Sequence, residues 1–148
     1  MIGTIIAIIG TLAGSALTAL VQGRQQRTAL AGSETMARRQ AAVDAVAEMV
    51  AAVAAHRAAM WHRESLRLKG EDWSEARAAS QATRAAISAP AVRVQVLVPD
   101  LRTAVDTATR ATYALRGTET TEALEAARTA SLEADAQLIS EAGRLLGI

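Results

Sequence analysis

The first 23 residues, MIGTIIAIIGTLAGSALTALVQG, contain no charged side chain. As a helix, the first 22 of them reach about 33 Å, enough to cross a hydrocarbon core of about 30 Å. A cleaved secretory signal is a competing reading. Nothing basic precedes the run, however, and the small-residue positions around Ser15 and Ala19 are poorly flanked for cleavage. A buried core helix is a third reading, but a soluble domain rarely has room for an uncharged helix of that length. The sequence therefore predicts a transmembrane helix over residues 1–23. Arg24, Arg27, Arg38 and Arg39 follow it, against the single acid Glu34. By the positive-inside rule that flank stays in the cytoplasm and the N-terminus lies outside. The expectation is a single-pass protein of the cell membrane, in contact with the lipid bilayer. A basic juxtamembrane segment, 24–32, then leads to a cytoplasmic helical bundle over 33–148. The lack of cysteine agrees with a reducing compartment.

Small residues in the apolar run fall on one stripe. Gly3, Ala7, Gly10, Gly14 and Thr18 recur at intervals of three and four, and Gly10 and Gly14 form a GxxxG pair. Such a face lets two helix backbones approach closely in lipid, so it is the expected face of self-association.

The remainder is long enough for one modest domain. Alanine makes up about a quarter of the chain, phenylalanine is absent, and the aromatics are Trp61, Trp73 and Tyr113. Alanine is the best helix former and builds thin, closely packed helices. The expected fold class is all-α: the N-terminal transmembrane helix, then an antiparallel four-helix bundle with one long helix. A formal net charge of +1 argues against a dedicated nucleic-acid binder, and no direct nucleic-acid binding is expected. The charge is unevenly placed. Eight basic residues against four acids lie between Arg24 and Lys69, whereas Thr118 onward holds six acids against Arg128 and Arg144. First and last helices are thus complementary, which suits bundle neighbours, although both sets can equally face water.

In the long helix, expected over 33–68, Met36, Val43 and Val50 repeat every seven residues, interleaved with Val46, Val53 and Met60. This predicts a bundle seam. Lys69 and Gly70 close the helix, and Asp72-x-x-Glu75 reads as a capping box for a second helix through Ala76 to Ile87. Val92, Val94, Val96 and Val98 alternate like a strand, but no second strand exists to pair with them. The stretch is read as helix, kinked at Pro90 and ended before Pro99. A third helix runs from Pro99 to Arg116 with Leu101, Val105, Ala108, Thr112 and Leu115 inward, stopped by Gly117. Thr118 starts the last, marked by Leu124, Ser131, Leu138 and Leu145.

Candidate chemistry is thin. His56 and His62 are six apart, on different helix faces, and no cysteine or nearby carboxylate completes a ligand set. In the stretch Trp61–Glu64 the expectation is Trp61 filling the bundle's end and His62, Arg63 and Glu64 in water. No phosphate-cradling loop, nucleophile elbow or carboxylate constellation appears. No catalytic, metal or cofactor-binding residue is assigned, no cofactor is expected, and the protein reads as non-enzymatic.

Three stretches together resemble a known family. They are the uncharged run ending in Gly23-Arg24-Gln25-Gln26-Arg27, the Met60-Trp61-His62-Arg63 region, and Val92 to Leu97 before Pro99-Asp100. The order of these features is similar to that of the short actinobacterial KilB-type proteins associated with plasmid transfer, and the likeness covers most of the chain. The resemblance implies a helical stretch at Arg93–Leu97 and a role in plasmid spread within a mycelium: membrane-bound, non-enzymatic and acting through protein contacts. Two other readings stand beside it. One is a membrane-damaging toxin or defence effector. The other is an oligomeric or filament-forming structural protein whose apolar N-terminal helix is a packing element.

Overall fold

Abundant alanine and only two prolines favour helix along most of this chain. The computed structural model describes the backbone of residues 2–147 and the side chains of residues 32–147. Helix α1 runs Ile2–Lys69, α2 Ser74–Ala86, α3 Ser88–Leu97, α4 Arg102–Tyr113 and α5 Thr121–Leu146, with a 3-10 turn over Pro99–Leu101 before α4. No strand occurs among the described residues. The chain divides into two compact units, Met1–Arg38 and Arg39–Ile148.

The transmembrane helix expected over 1–23 is corrected. Among the described residues, no helix is long and apolar enough to cross a membrane. From residue 32 onward α1 carries Glu34, Arg38, Arg39, Asp44, Glu48, Arg57, Arg63 and Glu64. Each such charge costs about 2.5–3.5 kcal/mol at the centre of a membrane helix. The single-pass, cell-membrane location, N-terminus outside and bundle in the cytoplasm, falls with that helix. The small-residue face Gly3, Ala7, Gly10, Gly14 and Thr18, and the basic Arg24 and Arg27, lie outside the described side chains.

The second unit is a bundle of four rods. Contacts along α1 fix the directions. Arg63, His56 and Glu48 meet Ser80, Thr83 and Arg93 in turn, so α2 and α3 descend as one kinked arm against α1. Trp61, Arg57 and Arg39 meet Glu125, Asp135 and Gly147, so α5 also runs antiparallel to α1. Tyr113, at the end of α4, packs its ring edge-to-face on His56 at 5.4 Å. The core joins Ala42, Ala45, Met49 and Val53 of α1 to Val94, Leu101, Val105, Ala108 and Leu138. Met60, Leu115 and Leu124 close the far end.

Local chemistry explains the breaks. Pro90 has no N–H and cannot bond the carbonyl four residues back, and the helix interrupts at Ile87, between α2 and α3. Helix returns at once, with Ala91 N donating to Ile87 O at 3.1 Å, so the alternating valines are helical. At the end of α1, Glu71 N reaches Leu66 O at 3.0 Å and Gly70 N reaches Arg67 O at 3.1 Å. Gly70 takes φ +72° for this, a left-handed cap that glycine adopts without strain. Trp73 is the N-cap of α2, without a side-chain cap; in place of the expected capping box with Glu75, Asp72 accepts from Ser74 N at 3.0 Å in a turn just ahead of the helix. The last helix begins later than its expected start at Thr118: Thr120 is its N-cap, accepting from Ala123 N at 3.1 Å.

Candidate functional site

Polar groups buried inside the bundle mark where this chain departs from a plain apolar core. His56, Glu64, Ser80, Thr112, Ser131 and Asp135 are all buried, and each comes from a different turn of a helix facing inward. They form three sets.

The first joins α1, α4 and α5. Arg57 pairs with Asp135 and stands 3.5 Å from Ser131 Oγ. Ser131 in turn shares a 2.9 Å hydrogen bond with Thr112 Oγ1. The second set ties the α4–α5 loop to the end of α1. Glu64, fully buried, accepts from Arg67 Nε at 2.6 Å and from Gly117 N at 3.2 Å, while Arg67 also donates to the Thr118 carbonyl. Glu64 Oε1 has no hydrogen bond, and it faces Arg63 Nε, equally unbonded, at 3.4 Å.

The third set lines a cleft of about 220 Å³ bordered by His56, Arg63, Ser80, Arg77, Arg84, Tyr113 and Arg116. His56 Nδ1 lies 2.9 Å from Thr83 Oγ1. Burial first, then the positive charges of Arg84 and Arg63, push its pKa from 6.5 down to about 4, with the Ser80 backbone opposing. The imidazole is therefore neutral at pH 7. Stability consequences follow from linkage. The unfolded chain takes up this proton near pH 6.5 and the folded chain near 4, so the unfolded state binds more protons between them. The contribution is complete above pH 6.5 and is lost as pH falls toward 4, by roughly 2–3 kcal/mol. Urea midpoints at about pH 7.5 and 4.5 should drop further for the native chain than for His56→Gln; equal drops would show that His56 does not stay neutral.

The expected seam residues separate. Val46, Val53 and Met60 are buried, Val43 and Val50 are half-buried, and Met36 is 67 % exposed. The second inward row is Ala42, Met49 and His56, one residue before the row of valines. In the Trp61–Glu64 stretch, Trp61 is half-buried against the Met60 cluster and donates to Glu125 Oε1 at 2.7 Å. His62 is exposed, as expected. Arg63 and Glu64 are not in water as expected: they belong to the interior pairs above, because α1 turns them toward α2 and the α4–α5 loop. Arg38 and Arg39 are exposed, and Arg39 donates to Gly147 O at 2.7 Å. His56, weighed only as a metal ligand, proves to be a core group. Among the described residues, no group of three His, Asp or Glu side chains could hold a metal.

The family model described as "KilB plasmid transfer protein" matches residues 43–146. "Protein KilB" of Streptomyces lividans is 46% identical over 150 residues, which cover 99% of this chain and 99% of that protein. No solved structure matches the chain.

Proposed function

Since the chain belongs to the KilB plasmid transfer protein family, we propose that it is a non-enzymatic helical scaffold in plasmid spread, acting through contacts between its own copies. One observation carries the reading. Val92 and Val96 lie one turn apart on α3, 61 % and 69 % exposed, and the exposed Ala89 lies one turn before Val92. Two exposed valines one turn apart are anchors that a second helix or a groove can accept. The interior supports it too: Glu64, Arg67, Arg57 and Asp135 hold helices together and are spent on that role.

A double variant, Val92→Glu with Val96→Glu, tests the reading. It should fold normally, since both positions face water, yet reduce self-association about tenfold in sedimentation and lower spread of a marked plasmid through a recipient mycelium. Normal spread from a chain that no longer associates would refute the scaffold reading. Normal spread after deletion of the gene would remove the role in spread altogether.

A further inference from the structure

The cleft between α1, α2 and the end of α4 gathers four arginines, Arg63, Arg77, Arg84 and Arg116, and no acidic side chain lines it. Five other arginines of the same unit are matched by carboxylates: Arg57 by Asp135, Arg67 by Glu64, Arg93 by Glu48, Arg128 by Glu125 and Arg144 by Glu141. Within the cleft Arg63 alone meets an acid, Glu64, at 3.4 Å and without a hydrogen bond from its Nε. Among the described residues, no ion pair involves Arg77, Arg84 or Arg116.

Aromatic faces lie against three of the four cleft arginines. The guanidinium carbons of Arg63 and Arg77 lie 5.1 and 5.7 Å from the Trp73 ring centre, and that of Arg84 lies 4.7 Å from the centre of Tyr113. A stacked guanidinium is positioned through its flat face, so its N–H edge stays free to donate. The result is a concave group of donors in which Glu64 stands near Arg63 and no carboxylate pairs with the other three arginines among the described residues. Arg77, Arg84 and Arg116 are exposed at the rim and Arg63 is half-buried, so an anion entering the cleft can meet several guanidinium groups at once.

We infer that this cleft binds the phosphate group of a small molecule. The charge count favours phosphate over carboxylate: a carboxylate has two oxygens, enough for one or two guanidinium forks, whereas a phosphate dianion offers three or four acceptors in different directions. Size sets the other limit. At about 220 Å³ the cleft is smaller than the roughly 300–1,000 Å³ usual for drug-sized ligands. Inorganic phosphate and the phosphate of a mononucleotide share the chemistry the arginines read. This site is distinct from the Val92–Val96 face and does not depend on it.

Calorimetric titration of the full chain tests the inference, with inorganic phosphate, adenosine 5′-monophosphate and acetate as probes at low ionic strength. Saturable binding of phosphate or the nucleotide is expected, with acetate at least about tenfold weaker. Arg77→Gln and Arg84→Gln should each weaken phosphate-group binding about tenfold or more. Both side chains are exposed, so the variants should keep the native circular dichroism. Arg144→Gln, away from the cleft, should change nothing. Tighter binding of the nucleotide than of phosphate would assign the carrier additional contacts; equal binding would assign the site to phosphate alone. Absence of saturation by about 10 mM, equal binding of acetate, or full binding by Arg77→Gln and Arg84→Gln would overturn the inference. So would tighter binding of a DNA duplex with a steep loss on adding salt, which would reassign the arginines to a nucleic-acid backbone.

Discussion

Replacing Glu64 by alanine should destabilise the bundle by about 3–5 kcal/mol, the usual cost of breaking a buried ion pair from one side. The carboxylate is fully buried and serves three partners: Arg67 Nε at 2.6 Å, Gly117 N at 3.2 Å and Arg63 Nε at 3.4 Å. Truncation leaves two guanidinium groups facing each other with no acid between them. It also leaves a backbone donor unsatisfied in the α4–α5 loop, costing about 1–3 kcal/mol if water cannot reach it. Against a total stability of roughly 5–15 kcal/mol, such a loss brings the chain near unfolding at ambient temperature. Glu64→Gln should cost less, since the amide oxygen still accepts a hydrogen bond while the charge is gone. Urea denaturation gives the ranking directly. An alanine variant within about 0.5 kcal/mol of the native chain would mean that Glu64 is solvated and the interior is not built this way.

The second large effect tests the seam. Met49 is fully buried in the main cluster, so Met49→Ala should cost about 2–5 kcal/mol through lost burial and the cavity left behind. Val50 is half-buried at the edge of the same cluster, and Val50→Ala should cost about 1 kcal/mol or less. The two positions are adjacent, so they share backbone propensity and differ mainly in the direction they face. A larger loss at Val50 than at Met49 would shift the register of α1 by one residue and refute the packing described here.

That one-residue difference shows what the sequence could and could not reveal. Val46, Val53 and Met60 were readable because large apolar residues at heptad spacing are rarely placed outward. The companion row was misread because its members are Ala42, Met49 and His56, and neither a methyl group nor an imidazole signals burial by type. By residue type, the valines at positions 43 and 50 look more like core. Helix ends were legible wherever backbone chemistry dictates them: Gly70 after Lys69, Asp72 before α2, Pro90 at the kink. The start of α5 was placed at Thr118, because Thr120 offers the same capping hydroxyl two residues on. The buried acids were not legible at all. Glu64 meets Gly117 across 53 residues and Asp135 meets Arg57 across 78, and no local pattern encodes such a pairing. Nor could residue type tell that the arginines beside Trp73 and Tyr113 gather around one cleft. The membrane span rested on the absence of charge over residues 1–23, a local property, and hydropathy says nothing about how the helix that carries the run continues.

The antiparallel pairing of α1 with α5 also has a consequence for synthesis on the ribosome. Arg39 meets Gly147, Arg57 meets Asp135 and Trp61 meets Glu125, so this part of α1 waits for partners translated 64 to 108 residues after it. At about 5–20 residues per second, the side of α1 that carries Arg39, Arg57 and Trp61 waits several seconds for α5. During that interval it is open to whatever helix arrives first, including the same face of a neighbouring nascent chain on one polysome.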